Sequence, residues 1–371
     1  MPRSNSQNTN EHAKNTSMIH GSTDPPDTCS ALACAGRDSP ETFERNAATI
    51  AIPARVTLAD AYRRDQFGLS TEMIIPIAAS AANAATRCTT TGCNGTEPII
   101  TRRQRTLAPV HSLESDLDLA LRLADLADPV TMSRYRASDL VVESKPDLTP
   151  VTEADQAAER VLRSELAVAR PDDAILGEEY GTSSPGHTAR LWILDPIDGT
   201  KNYVRGVPAW ATLIALTING VPVLGVASAP ALGRRWWAAR GLGAWTTAPE
   251  YPRPHRLQVS AVSDLADASF SFSDSQGWVE RGANLSALDA ATWRTRAYGD
   301  FWSHLLVAEG SVDVAAEPEL AKWDIAALVP IVTEAGGMLT AFDGTDALDG
   351  GCALTTNGAL HNAVIAKLNE A

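Results

Sequence analysis

The stretch LWILDPIDGTKNYVRGVPAWATLIALTINGVPVLGVASAP, residues 191–230, decides the fold. Its three apolar runs are typical of strands, and the last two flank Asn219-Gly220, the strongest short signal for a hairpin turn. The first run ends at Asp195, and the earlier run AILGEE, residues 174–179, also ends in acidic residues. These runs predict buried strands whose C-terminal ends carry carboxylates.

Helical patterns precede this stretch. Thr152 followed by Asp155 predicts the capped start of a helix that ends before Pro171. Another helix is predicted to begin near residue 113, because four apolar residues recur there at helical spacing. These four residues are Leu113, Leu117, Leu121 and Ala124.

Helices and strands also alternate after residue 300. FWSHLLVAEG and DIAALVPIVTEAGG each predict one helix, and Gly336-Gly337 is expected to close the second. MLTAF and CALTTNG predict strands, and NAVIAKLN predicts a terminal helix. Antiparallel hairpins mixed with helices exclude a simple Rossmann repeat and favour a layered α/β or α+β architecture.

Residues 1–110 differ in composition from the remainder. They are rich in Ser, Thr, Asn, Ala and Pro and show no sustained apolar period. Such a segment buries too little apolar surface to offset chain entropy, so we predict a disordered, low-complexity extension. Residues 111–371 then form the catalytic domain, with a metal- and phosphate-binding half at 111–255 and a second α/β half at 256–371.

The charge of the chain is concentrated in its C-terminal part. The formal net charge is −14, but residues 1–110 hold 11 Lys+Arg and 10 Asp+Glu, so the remainder has a net charge of −15. This acidity argues against nucleic-acid and membrane partners, and clustered carboxylates create a mild expectation of a metal site. The N-terminus lacks the apolar region of a signal peptide, which favours a cytoplasmic location.

Three acidic elements suggest the chemistry: Gly-Glu-Glu at 177–179, Asp-Pro-Ile-Asp-Gly-Thr at 195–200 and Trp-Asp at 323–324. A phosphate ester repels nucleophiles and has a poor leaving group, and two or three Mg²⁺ ions overcome both difficulties. Mg²⁺ prefers oxygen ligands, which carboxylates and backbone carbonyls supply. The three acidic elements therefore meet what a magnesium-dependent phosphate-ester hydrolase requires.

The hexapeptide at 195–200 combines several of these requirements. Its proline is expected to fix a turn, so that Asp195 and Asp198 converge with the carbonyl of Ile197 between them. Gly199 and Thr200 then offer backbone N–H groups at a short helix start, which suits a phosphate oxygen.

These motifs resemble the inositol-monophosphatase family across residues 113–370. DPIDGT is specific alone, and WDIAA followed by EAGG makes a chance match very improbable. The resemblance implies a five-layered α/β/α/β/α sugar-phosphatase fold with mixed, largely antiparallel sheets. It also implies a homodimer, two or three Mg²⁺ per site with Mn²⁺ as a substitute, and in-line attack of metal-activated water without a phosphoenzyme.

The family also implies a set of metal ligands. Glu178 resembles the shared ligand that helps to activate water, and Asp195 resembles the carboxylate that bridges two metals. Ile197 would contribute its carbonyl oxygen, while Asp198 and Asp324 would complete the shell of the second metal.

Other positions match residues that contact the substrate. Thr200 would orient the water together with Glu178, and the amides of Gly199 and Thr200 would bind phosphate, near Asp198 and Asp324. Glu317 matches a position that contacts the polar body of the substrate.

The closest resemblance is to the bacterial histidinol-phosphatase branch of the family. It rests on KPDLTPVTEAD, RAYGDFWSHLLVAEG and TTNG, among other segments. That branch implies hydrolysis of L-histidinol phosphate to L-histidinol and phosphate in histidine biosynthesis. Asp300 and Glu317 could pair with the substrate amine, and Asn357 or a tryptophan could contact the imidazole.

Alternatives remain open at this point. Inositol 1-phosphate or another small phosphomonoester could be the substrate, an inactive relative could serve as a binding protein, or residues 1–110 could be a regulatory tail. Asp116-Leu-Asp118 superficially resembles an aspartyl-phosphate nucleophile motif. It lies within a helical pattern rather than at a strand end, so we expect a solvated helix face there.

Overall fold

The computed structural model describes residues 111–145, 149–184, 186 and 188–370. Residues 1–110, for which an extension was predicted, lie outside this part. The α-helices are α1 Leu113–Arg134, α2 Glu153–Ala169, α3 Thr200–Arg205, α4 Leu285–Ala291, α5 Asp300–Ala308, α6 Lys322–Ala326, α7 Leu328–Glu334, α8 Ala347–Gly350 and α9 His361–Leu368. The strands are β1 Val142–Ser144, β2 Pro150–Thr152, β3 Ala174–Gly177, β4 Gly181–Ser183, β5 Arg190–Asp198, β6 Ala211–Ile218, β7 Val221–Ala229, β8 Arg234–Ala239, β9 Gly243–Ala248, β10 Tyr251–Arg256, β11 Ser269–Ser271, β12 Arg294–Arg296, β13 Val314–Glu317, β14 Met338–Thr340 and β15 Ala353–Thr356.

An eight-stranded sheet contains the stretch that opened the sequence analysis. Its order is β10-β9-β8-β7-β6-β5-β3-β4, and its pairs are antiparallel except β3 with β5. Ile218 pairs with Val221, so Asn219 and Gly220 form the two-residue loop between β6 and β7. Both have positive φ, 54° and 80°, as the mirror-image turns of tight hairpins require. The hairpin prediction is confirmed.

Helices α1 and α2 cover one face of this sheet. Their apolar residues form a common core with the buried Trp192 and Trp237 of the strands. Helix α2 begins with the predicted capping box, in which Asp155 accepts from the backbone N–H of Thr152 and the Thr152 hydroxyl accepts from Ala154. Helix α1 begins at Leu113 and α2 at Glu153, so both predicted helix starts are confirmed.

Helices α5, α6 and α7 cover the opposite face of the sheet. Phe301, Leu305 and Ile331 pack there with Trp236 of β8. A single helix was predicted over residues 324–337, and this is wrong, because the chain forms α6 and α7 with a break at Ala327. Pro330 lacks the N–H that would bond to the carbonyl of residue 326, which disfavours a continuous helix.

A second sheet lies beyond this helical layer. Its five strands have the order β12-β11-β13-β15-β14, with parallel pairs around β11 and antiparallel pairs around β15. Helices α4 and α9 pack on its outer face through Leu288, Val364 and Leu368. The layers therefore follow the order α/β/α/β/α, and the predicted fold class is confirmed.

Asp116 departs from its prediction. It is fully buried on α1 and forms ion pairs with Arg170 and Arg190, each with an N–O distance of 2.9 Å. The expected solvated face is therefore wrong at this residue, because two arginines from other elements reach it. Asp116 still lies within a helix and has a structural role.

Two further features concern the whole described region. Strands β1 and β2 form a separate antiparallel pair, strands β3 to β10 form the first sheet, and strands from Ser269 form the second. The division into halves at 255/256 remains our proposal. In the part of the chain that the structure describes, none of the helices combines the length and apolar character that a membrane crossing requires.

Candidate active site

A β-bulge at the end of β5 brings Asp195 and Asp198 together. Asp195 pairs with Leu213 and Asp198 with Ala211, so the β5 side of the ladder contains one extra residue. In a regular strand, side chains three residues apart point to opposite faces, and the extra residue reverses this relation. The convergence expected from a proline turn is therefore produced by a bulge within a strand.

Asp324 joins the two carboxylates from the first turn of α6. Its Oδ2 accepts from the backbone N–H of Ala321 at 2.7 Å, which fixes the side chain at the start of the helix. One carboxylate oxygen from each of Asp195, Asp198 and Asp324 lies within 4.8 Å of the others. Three acids that are far apart in sequence thus share one small volume.

The three aspartates are fixed by backbone groups and have no ion-pair partner in the part of the chain that the structure describes. Ile197 N–H donates to Asp195 and Phe301 N–H donates to Asp198, both at 2.9 Å. None of the ion pairs found within residues 111–145, 149–184, 186 and 188–370 includes Asp195, Asp198 or Asp324. Buried charges are normally paired or bound to a metal, so this cluster lacks a counter-ion.

The electrostatics of the cluster agree with this description. Burial, followed by the charges of Glu178 and the neighbouring aspartates, raises the pKa of Asp195 well above its usual value. Burial, followed by the charges of Asp300 and Asp324, does the same to the pKa of Asp198. The pKa of Asp324 rises to about 7, mainly through burial. A divalent cation would relieve this repulsion, and an all-oxygen ligand set suits Mg²⁺.

Glu178 follows β3 and faces the same cluster. Its charge raises the pKa values of Asp195 and Asp324, and its side chain is 19% exposed. Lys145 donates to Glu178 at 2.6 Å and to Glu179 at 2.7 Å. The ammonium group of Lys145 therefore supplies a positive charge to Glu178 and Glu179.

Thr200 and Gly199 lie directly after the bulge. The Thr200 hydroxyl is 2.9 Å from the Ile197 carbonyl and 3.4 Å from Asp155 Oδ1, either of which can accept its proton. Gly199 caps α3 in the left-handed conformation, with φ 81°. A Cβ at this position would lie 3.0 Å from the carbonyl oxygen of Ala209, so glycine is required there.

Asp300 and Glu317 form a second acidic group in the same cavity, named here the leaving-group end, and its Asp300 is adjacent to Gly199 and Asp198. Asp300 Oδ2 accepts from Asn202 Nδ2 at 2.8 Å, and Glu317, 5% exposed, accepts from the Ser273 hydroxyl at 2.6 Å. Burial raises the pKa of Asp300 to about 6 and that of Glu317 to about 8, and the charge of Asp300 contributes to the latter.

One cavity of about 670 Å³ contains both groups of acids. Sequence reasoning missed the Ser273, Asn202 and Asp274 side chains near Asp300 and Glu317, because SFSDSQG and KNY carry no motif specific enough to assign them. The cavity is lined by Glu178, Asp195, Ile197, Asp198, Gly199, Thr200, Ser273, Asp274, Asp300, Phe301, Glu317, Trp323 and Asp324, among others.

Asn357 is the predicted site residue that the structure places elsewhere. Its Nδ2 donates to Ser260 Oγ at 3.0 Å and to the carbonyl of Val262 at 2.7 Å, and its Oδ1 accepts from Leu360 N–H. The side chain anchors a loop and does not line the cavity. These local partners use its amide, and the contact of Asn357 or a tryptophan with the imidazole stays a prediction.

Comparisons with known proteins agree with this geometry. Residues 112–371 match the model of the inositol monophosphatase family. The chain is 56% identical over 256 residues to the histidinol-phosphatase of Mycobacterium tuberculosis, covering 68% of this chain and 98% of that protein. It is 55% identical over 261 residues to the histidinol-phosphatase of Streptomyces coelicolor, covering 69% of this chain and 97% of that protein.

Solved structures show the same relation. The IMPase of Thermotoga maritima superposes with a TM-score of 0.61 at 33% identity, covering 68% of this chain and 96% of that one. The superposition on this structure and the match to the family model both cover nearly the whole described region. The chain belongs to the inositol monophosphatase family.

Proposed function

We propose that this chain is a Mg²⁺-dependent phosphomonoesterase that hydrolyses L-histidinol phosphate to L-histidinol and phosphate. The observation that carries the proposal is the position of two acidic groups in one cavity. One group, Asp195, Asp198 and Asp324, has the composition of a metal site. The other, Asp300 and Glu317, suits a cationic leaving group. The two relatives with 55–56% identity are histidinol-phosphatases, which supports this substrate.

The phosphate end of the cavity would bind the metal and the phosphoryl group. Glu178, Asp195, Asp198, Asp324 and the carbonyl of Ile197 would act as ligands. When bound, Mg²⁺ neutralises phosphate charge and makes water a stronger nucleophile. The N–H groups in the first turn of a helix have no partner within that helix, so those at Gly199–Thr200 can donate to phosphate oxygens.

The chain itself orients the attacking water. The carboxylate of Glu178 can accept a proton, and the Thr200 hydroxyl can accept a hydrogen bond from water while it donates to Asp155 or Ile197. Asp155 is itself fixed by the cap of α2, so this orientation does not depend on a mobile side chain. In-line attack on phosphorus would then release the alcohol without a covalent intermediate.

The leaving-group end would select the substrate. Histidinol phosphate carries an ammonium group near the ester, and two carboxylates in a buried site bind such a cation strongly. A Cβ at Gly199 would lie 3.3 Å from Asp300 Oδ2, so this acid is adjacent to the phosphate-binding turn. Inositol phosphates carry no cation and would leave both carboxylates without a charged partner.

A phosphate-release assay tests the proposal. Histidinol phosphate, inositol 1-phosphate and 3′-phosphoadenosine 5′-phosphate are compared in Mg²⁺, in Mn²⁺ and in EDTA. We expect histidinol phosphate to give the highest kcat/KM in Mg²⁺, with activity lost in EDTA. Undiminished turnover in EDTA would contradict the metal site, and a preference for inositol 1-phosphate would contradict the substrate.

Three finer points are also proposals. We propose two or three Mg²⁺ per site, with Mn²⁺ as a substitute, a homodimeric assembly and a cytoplasmic location. Titration of Mg²⁺ into the metal-free protein by calorimetry gives the number of ions, and sedimentation analysis gives the mass of the assembly.

A further inference from the structure

Ser273 connects the two acids at the leaving-group end. Its hydroxyl oxygen accepts from the backbone N–H of Asp300 at 2.7 Å, and its proton is donated to Glu317 Oε1 at 2.6 Å. Ser273 lies just after β11, Asp300 begins α5 and Glu317 ends β13. One side chain therefore joins three separate elements at the wall of the cavity.

Asp300 needs such a partner because its backbone is unusual. Its φ is 49°, in the left-handed region that non-glycine residues rarely adopt. Such a conformation persists only where neighbouring groups specify it. Ser273 binds the N–H of Asp300, and Asn202 Nδ2 binds its Oδ2 at 2.8 Å while also donating to the carbonyl of Ala209.

The same hydroxyl also sets the direction of Glu317. A serine hydroxyl has one proton, and here that proton is directed to Glu317 because the oxygen already accepts from Asp300. This bond, together with a backbone hydrogen bond from Ser273, fixes the carboxylate of Glu317. Without Ser273, two neighbouring buried carboxylates would repel each other with nothing between them to fix their separation.

We propose that Ser273 is a positioning residue that holds Asp300 and Glu317 at the separation needed to bind a cationic leaving group, and so determines substrate specificity. The inference rests on the proposed function, since it concerns the group attached to the phosphate. Among the described residues, no hydrogen bond is found between Ser273 and Asp195, Asp198 or Asp324. Its effect should therefore depend on the leaving group.

The test compares Ser273→Ala with Ser271→Ala and Ser273→Thr. Ser271 is a matched control, because it lies two residues earlier, is buried, accepts from Tyr298 N–H and bonds Ser303. Within the part of the chain that the structure describes, it forms no hydrogen bond with Asp300 or Glu317. kcat and KM are measured for histidinol phosphate and for glycerol 2-phosphate, a phosphomonoester whose leaving group carries no charge. Inhibition constants are measured for L-histidinol and for inorganic phosphate.

We expect Ser273→Ala to lower kcat/KM for histidinol phosphate about 10- to 30-fold, mostly through KM, because two hydrogen bonds to charged or strained groups are lost. The value for glycerol 2-phosphate should change less than about threefold. The inhibition constant of L-histidinol should rise in parallel, and that of inorganic phosphate should not. Ser273→Thr should restore most of the preference, and Ser271→Ala should leave it intact.

Three results would overturn the inference. Equal losses with both substrates in Ser273→Ala would mean that the residue supports the whole site rather than the acidic pair. Retention of the preference in Ser273→Ala would overturn the inference alone, while the proposed function would stand. If the wild-type enzyme shows no preference for histidinol phosphate over glycerol 2-phosphate, both fail together.

Discussion

The two ends of the cavity use buried carboxylates in different ways. At the phosphate end, Asp195, Asp198 and Asp324 are fixed by backbone N–H groups, those of Ile197, Phe301 and Ala321. At the leaving-group end, the side chains of Ser273 and Asn202 take part in fixing the acids, beside a backbone hydrogen bond from Ser273 to Glu317. A substitution can remove a side-chain donor, whereas a backbone donor remains unless proline replaces its residue.

This difference suggests how one fold keeps its chemistry while its substrates vary. The metal-binding geometry follows from a bulge and a helix start, so it is insensitive to most substitutions nearby. The geometry around Asp300 and Glu317 depends on two polar side chains, so single substitutions can alter it. Substrate specificity should therefore be easier to change than phosphatase chemistry, and three predictions examine this contrast.

The largest effect is expected at the phosphate end. Asp195→Asn preserves the size of the side chain but removes its charge, and we expect kcat/KM to fall at least about 1,000-fold for every phosphomonoester. Because a buried charge without a partner is removed, the melting temperature of the metal-free protein in EDTA should rise. Asp349→Asn, on an exposed ion pair with Lys322, is the control and should change neither quantity. Wild-type turnover of Asp195→Asn in Mg²⁺ would contradict the metal site.

A smaller and selective effect is expected at the other end. Asp300→Asn should lower kcat/KM for histidinol phosphate about 30-fold, because one charge-assisted hydrogen bond to the ammonium group is lost. Asparagine tolerates the left-handed conformation of this position, so the fold should be retained. Kinetics with glycerol 2-phosphate serve as the reference. A loss of the same size with glycerol 2-phosphate would show that the two ends are not independent.

The smallest effect concerns pH. The pKa of Glu317 rises from 4.5 to about 8 in the folded protein, mainly through burial. Folding thus retains a proton that the unfolded chain releases, so this contribution to stability is complete below pH 4.5 and is lost as pH rises through about 8. Glu317→Gln should flatten the fall in unfolding free energy between pH 5 and pH 8.5, measured by urea unfolding in EDTA.

The same titration should appear in substrate binding. Only the ionised carboxylate pairs fully with an ammonium group, so KM for histidinol phosphate should fall a few-fold as pH rises from 6 to 8.5. Glu317→Gln should abolish that dependence, and the inhibition constant of inorganic phosphate provides the comparison. An unchanged pH dependence of KM in Glu317→Gln would assign the titration to another group.

Local patterns predicted most of the architecture. Asn219-Gly220 specified a hairpin, Thr152 and Asp155 specified a capped helix, and both depend only on residues adjacent in the chain. The break at Ala327 was missed because the apolar period continues through it. At that point the carbonyl of Ala327 approaches Gly225 so closely that a Cβ there would lie 2.0 Å away. The sequence of either segment alone does not predict this contact between the α6–α7 junction and β7.

The sequence by itself determined which acids to expect in one cluster, because DPIDGT and the Trp323-Asp324 pair are local patterns with few other uses. Only the tertiary structure decided how those acids are fixed and which polar residues join them. Ser273 reaches Asp300 and Glu317 across 27 and 44 residues of chain, and Asn357 is bound by a loop almost 100 residues earlier. Such contacts depend on the packing of whole layers, which the order of residues in any one segment does not specify.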